Sequence, residues 1–106
     1  MVQVRVKENS LIAGIAAKKL KVDKVAIVIN RTIHLHNTTQ EEFKNNEAWL
    51  RHELMHVEQY RQYGTIRFIT LYLYESLIKG YKQNRFEIEA RSAELDKTDL
   101  SKYNIQ

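Results

Sequence analysis

The chain has no cysteine and no proline, and only three glycines among 106 residues. Without cysteine it forms no disulfide and offers no thiolate to a metal, so any bound ion must be held by nitrogen and oxygen. Without proline, and nearly without glycine, it has no linker or low-complexity segment of the usual composition. No apolar run is long enough to span a bilayer. Arg5 and Lys7 precede Leu11-Ile12-Ala13-Gly14-Ile15-Ala16-Ala17 in the manner of a short leader. Polar residues interrupt the approach, so the segment reads as a helix of the fold. With no disulfides, leader or membrane span legible, the expectation is a cytoplasmic protein.

What is present is 43% hydrophobic residues and a net charge of +4. That apolar content is enough for one domain over residues 1–106 with a real core. The basic residues are spread along the chain, and the one cluster is Lys18-Lys19-Leu20-Lys21-Val22-Asp23-Lys24. A short basic run of this kind suits a solvated helix end. Nucleic-acid recognition needs Arg and Lys gathered on one face with aromatics between them, so no nucleic-acid partner is expected.

Read in order, Val2-Gln3-Val4-Arg5-Val6 alternates at period two, as a strand does. Ser10 caps a helix whose apolar face is Leu11, Ile12, Ile15, Ala16 and Leu20. The β-branched run Val25-Ala26-Ile27-Val28-Ile29, a turn at Asn30-Arg31 and the alternating Thr32-Ile33-His34-Leu35-His36 predict a hairpin. His34 and His36 share one side of its return strand and read as an exposed face. Thr38-Thr39-Gln40-Glu41-Glu42 marks a helix start, and a longer helix over Ala48 to Tyr63 stops at Gly64. Thr65 to Lys79 is apolar almost all round and reads as a core helix ended by Gly80. A last helix runs from Asn84 to Glu94, and the polar tail from about residue 98 is expected to fray.

The helix ending at Tyr63 contains His52-Glu53-Leu54-Met55-His56, a His-Glu-x-x-His motif. Histidines four residues apart project from one helix face about a turn apart, which suits two nitrogen ligands of one zinc ion. Glu53 lies about 100° round the helix, beside the ion, where a carboxylate can serve as general base for an activated water. Gln59 shares the sector of His52 and His56, and orients a ligand or closes the site wall. Leu50, Leu54 and Val57 lie nearly opposite, so the helix is a buried, central one.

The third ligand has to come from elsewhere. Glu87, Ala90, Ala93 and Glu94 share a face of the last helix. The alanines allow close packing, and a carboxylate on such a face requires a partner. Glu87, 31 residues after His56, is the candidate, with Glu89 as its substitute.

With both pieces located, the chain resembles a gluzincin-type metallopeptidase domain. More closely, it resembles small bacterial His-Glu-x-x-His domains of unknown function, related to the core domain of extracellular contractile injection systems. The resemblance rests on His52 to Gln59, on Tyr81 to Ala90, and on the hairpin from Val25 to Asn37. It implies zinc on His52, His56 and the later glutamate, and Glu53 as base. In gluzincins the first glutamate of a Glu-x-x-Ala segment is commonly the ligand, which favours Glu87. In zinc peptidases of this kind an edge strand pairs with extended substrate, and Ile33, His34 and Leu35 are the candidates for it. Arg91 stands where some relatives carry an acid. Tyr81, with Tyr72 and Tyr74 as alternatives, is the candidate oxyanion stabiliser.

The reading is an α+β, minimal zincin-like fold: a small β-hairpin sheet on three to four helices, with the His-Glu-x-x-His helix at the centre. The function expected is zinc-dependent hydrolysis of a peptide or protein substrate, in a cleft that a second copy or a protein partner is free to complete. The alternative is a zinc-stapled structural or interaction module without hydrolysis, which needs a fourth ligand from His34, His36 or Glu89.

Overall fold

Ser10 accepts a hydrogen bond from the Ala13 N–H and starts a helix, α1, at Leu11–Leu20. It follows strand β1 (Val2–Lys7) and precedes β2 (Val25–Ile29) and β3 (Thr32–His36) in a computed structural model that describes residues 1–106. The helices α2 (Gln40–Asn45), α3 (Glu47–Tyr63), α4 (Thr65–Lys79) and α5 (Arg85–Ala93) come next, and a short strand β4 (Tyr103–Ile105) ends the chain.

Local chemistry sets these boundaries. Thr39 and Glu42 form a reciprocal capping box at the start of α2. Asn46 accepts from the Trp49 N–H at the start of α3. Gly64, at φ +84°, separates α3 from α4 in a backbone region that side chains disfavour. Asn84 caps α5 through the Phe86 N–H, and its fully buried amide also donates to the Tyr72 carbonyl and to Ser76 Oγ. That one side chain ties α5 to α4.

The class is α+β, with a four-stranded mixed sheet in the order β2-β3-β1-β4. β2 pairs antiparallel with β3, while β1 lies parallel to both β3 and β4. Val2, Val4, Val28, Ile33 and Leu35 bury one sheet face against Leu50, Leu54 and Val57 of α3. Those three residues lie opposite the histidines, as the helix periodicity requires.

Several expectations need correcting. The sheet has one strand, β4, beyond the hairpin and the expected strand near the N-terminus. The polar tail does not fray, because β4 pairs with β1 and Tyr103 Oη donates to Glu58 at 2.8 Å. Strand β3, expected at an edge, is interior, and β2 is the edge on that side. The reason is the parallel pairing of β1 with β3, a contact between distant segments that leaves no mark on local alternation. His34 is buried rather than exposed, with Nδ1 2.8 Å from Ser10 Oγ.

The packing of α1 is inverted relative to its apolar pattern. Ala13 and Ala17 are buried, and Gly14 lies against the His36 ring, where a Cβ would meet Nδ1 at 3.4 Å. Leu11, Ile12, Ile15 and Leu20 face outward. Small residues let the helix sit close over the two histidines, and this close approach outweighs burial of the larger side chains. Helix α4 departs in the same direction: Phe68 is buried, while Ile66, Leu73, Leu77 and Ile78 are exposed.

This packing gives a clear expectation. Ala17→Leu forces α1 off the sheet and costs about 1–3 kcal/mol, whereas Leu11→Ser changes stability by less than about 0.5 kcal/mol. Urea unfolding of both variants checks it; the reverse ranking would mean that α1 packs through its large residues.

Candidate metal centre

His52 and His56 project from α3 one turn apart, with ring centroids 5.1 Å apart. Facing them, the first turn of α5 delivers Glu87. Its Oε1 is 3.1 Å from His52 Nε2 and its Oε2 is 3.3 Å from His56 Nε2. One donor atom from each of the three residues lies within 4.8 Å of the others. Atoms bound at ~2.1 Å to a tetrahedral ion lie ~3.4 Å apart, so the separations suit a single ion with little rearrangement. The three residues can hold a metal ion. Glu89, the substitute, turns away and accepts from Gln59 Nε2 at 2.7 Å.

The other ring nitrogens are held as well. His52 Nδ1 is 2.7 Å from Glu94 Oε2, and His56 Nδ1 is 2.8 Å from Gln59 Oε1. A carboxylate oxygen only accepts here, so His52 donates from Nδ1 to Glu94 and from Nε2 to Glu87, and ligation of an ion would replace only the Nε2 proton. Gln59 reaches the same result less directly. Its amide nitrogen donates to the Phe86 carbonyl and to Glu89, so its oxygen is the atom that faces His56. Helix α5 therefore supplies Glu87, carries at its C-terminal cap the Glu94 that orients His52, and anchors Gln59, the α3 residue that orients His56.

The charges are strongly coupled. Burial opposes a proton on His52, but the bonds to Glu87 and Glu94 and the nearby Glu53 outweigh it and lift its pKa to about 9. His56 moves up for similar reasons, its bond to Glu87 first among them after burial. Burial raises Glu87, yet the hydrogen bonds from both histidines and from Tyr72 Oη hold it well below the usual carboxylate range. Glu53 behaves oppositely. It is buried, and desolvation pushes its carboxyl up to about 7 although His56 and His52 pull it down.

These residues open on a cleft of about 390 Å³. His52, Glu53, His56 and Glu87 form one wall, strand β2 another, and Phe68, Ile69, Tyr72 and Leu73 of α4 a third, with Tyr81 beside them. Of the sequence-predicted residues, His52, Glu53, His56, Gln59, Glu87 and Tyr81 are thus brought together. Ile33, His34 and Leu35 are not: they belong to interior β3, and the strand at the cleft is β2. Glu94 and Tyr72 were missed as contacts. Glu94 had a signal, since seven residues after Glu87 is two helical turns on the same face. Tyr72 had none, because its contact with Glu87 depends on how α4 packs.

The family model for the eCIS core domain matches residues 1–64, and the chain belongs to that family. The matched span ends with α3, so it includes His52, Glu53 and His56, while Glu87 and Glu94 lie beyond it. No curated protein and no solved structure matches the chain.

Two outcomes follow for the purified protein. Glu87→Ala abolishes metal binding, whereas Glu94→Ala weakens it by about 10–100-fold and Glu89→Ala leaves one metal per chain; competition with a chromogenic chelator reads all three. Retention of tight binding by Glu87→Ala would remove Glu87 from the ligand set. The second concerns pH. In the metal-free protein His52 titrates near 9 instead of 6.5 and Glu53 near 7 instead of 4.5. Both groups hold protons more tightly folded than unfolded, so their stabilisation is complete at low pH and is lost as pH rises through the folded values. Glu87, shifted down, stabilises above its ordinary 4.5 and loses this as pH falls. The melting temperature of metal-free protein should therefore fall from about pH 6.5 to 9. A flat profile there would contradict the histidine–glutamate network.

Proposed function

We propose that this domain is a zinc-dependent peptidase. One observation carries the reading: a buried carboxylate, Glu53, with its pKa raised to about 7, lies in the same cleft as a donor set of only three residues. Three protein ligands leave a coordination position open, which is the mark of a catalytic rather than a structural zinc site. A closed structural site needs a fourth ligand, and the candidates are otherwise engaged. His34 is bonded to Ser10 on the sheet face covered by α1, the face His36 shares, and Glu89 is bonded to Gln59.

The donor set of two imidazoles and a carboxylate suits zinc, which when bound there supplies Lewis acidity that polarises a carbonyl and lets a water ionise near pH 7. Glu53 takes the proton from the attacking water, a transfer that its raised pKa favours near neutrality. The same carboxyl then delivers the proton to the leaving amine. Tyr72 and Tyr81 line the cleft and are the hydroxyl donors available to an oxyanion. Burial, and then the charge of Glu87, raise the pKa of Tyr81, so it stays protonated and able to donate. Glu94 and Gln59 hold the imidazoles in the tautomer that ligation needs.

Strand β2 replaces β3 as the element that receives substrate. The Ser10 N–H donates to the Leu35 carbonyl, so Leu35 turns its backbone groups towards β1, and His34 and His36 turn theirs towards β2. By the same alternation and the register of the hairpin, Ala26 and Val28 direct their backbone groups away from the sheet. Tyr60 Oη already bonds the Val28 carbonyl at 3.1 Å. The remaining groups form a short open edge that suits an added strand.

The deciding experiment is hydrolysis of an unfolded protein by zinc-loaded wild type and by Glu53→Gln. The expected result is peptide-bond cleavage that falls by about 10²–10⁴-fold in the variant with zinc content unchanged. Cleavage indifferent to Glu53→Gln would remove the base, and no cleavage by loaded wild type would favour the non-hydrolytic zinc module.

A further inference from the structure

The walls of the cleft show a sharp division of chemistry. Its charged or imidazole-bearing lining residues are the four members of the cluster: His52, Glu53, His56 and Glu87. Everything else that lines it is apolar or aromatic, from Leu20 of α1 across β2 to Ile69 and Leu73 of α4. No cation or anion stands on the walls away from the cluster to receive a charged side chain, and a charge desolvated there would go unpaired. Leu20 and Leu73 are each 61% exposed, so the apolar lining continues onto both rims instead of stopping at the mouth. Both belong to the outward-facing apolar residues of α1 and α4, and with Ile69 they are the ones that line the cleft.

A second observation restricts what covers them. The open edge of β2 presents the N–H and C=O of Ala26 and the N–H of Val28, a donor–acceptor pattern that a second extended backbone matches. A lipid tail or detergent satisfies the walls but leaves that edge unpaired. An extended polypeptide satisfies both. Its alternate side chains then point into the cleft and away from it.

We propose that the cleft recognises an extended polypeptide segment paired along β2, with large apolar side chains seated between β2 and the Ile69–Leu73 stripe of α4. This deepens the peptidase reading by naming its substrate class, and rests on that reading only for what happens to the bound segment. Charged residues at the same positions are excluded by the walls, so selection occurs at the residues nearest the bond presented to Glu53. Other positions, over the rims, are tolerant.

Binding tests the proposal without turnover. Zinc-loaded, full-length Glu53→Gln is titrated with three fluorescent nine-residue peptides that differ only at the two central positions: Leu-Phe, Asp-Asp or Lys-Lys. The apolar peptide is expected to bind at least about tenfold tighter than either charged one, the ratio given by removing one large side chain from water. Its binding should shift the amide resonances of Ala26 and Val28 more than those of β1. Leu73→Lys, at an exposed position that leaves folding intact, should weaken the apolar peptide about tenfold and improve the Asp-Asp peptide. Equal affinity for the three peptides, or none for any, would overturn the proposal. Retention of the protein on phosphatidylcholine vesicles in place of peptide would also overturn it, in favour of a lipid surface. Hydrolysis by wild type is a separate result: selective binding without cleavage keeps this proposal and removes the peptidase, while cleavage without apolar preference does the reverse.

Discussion

The contact between α3 and α5 is the constraint on which the rest depends. It is a polar seam: Glu87 faces both histidines, Glu94 holds one imidazole, and Gln59 links the other to Glu89 and the Phe86 carbonyl. A buried carboxylate and two imidazoles cost free energy unless each finds a partner, and here they are one another's partners. The seam thereby fixes the rotation of α5 about its axis, since turning the helix by one residue would bury Ile88 against the histidines and strand Glu87. Asn84 secures the start of the same helix to α4, so the placement of Glu87 is determined from two directions.

Apolar packing explains why this seam ends in an open cleft rather than in the core. Leu50, Leu54 and Val57 occupy the sheet side of α3, which leaves its histidine side to be covered by other elements. Helix α4 covers it partly, through Phe68 and Tyr72, and α1 stays on the far face of the sheet. The small face of α1 matters to the site for that reason. A helix packed through Leu11, Ile15 and Leu20 would stand further off the sheet, and Leu20 would leave the rim it now forms beside β2.

How much of this was legible in the sequence depends on the distance over which each feature is decided. The His52–His56 spacing, the hairpin, the Thr39 and Ser10 caps and the breaks at Gly64 and Gly80 are decided within a few residues, and all are present in the fold. Glu87 was reachable by asking which carboxylate on a close-packed face needed a partner, and the structure sets it against both histidines. The strand order was not legible, because β1 pairs with β3 across an intervening helix and strand, and with β4 from the opposite end of the chain. That misplaced the sheet edge by one strand. The exposed apolar faces of α1 and α4 misled for a different reason. Periodicity identifies an apolar stripe but not whether the fold or something outside it covers that stripe.

The same network bears on how the centre is filled. The atoms that would bind an ion are already hydrogen-bonded to one another, so ligation exchanges proton-mediated bonds between Glu87 and the imidazoles for bonds to the metal. Little side-chain movement is needed, because Glu94 and Gln59 hold the rings from behind in either state. What the ion must displace is protons, and these are bound more tightly in the folded protein than in solution. Burial of Glu53 acts in the same sense, since a neutral acid beside the cluster removes a negative charge that would otherwise attract the ion. In the proposed peptidase the pH at which Glu53 ionises would therefore be coupled to metal affinity, and the group proposed to move the proton would also help set the conditions under which an ion is taken up.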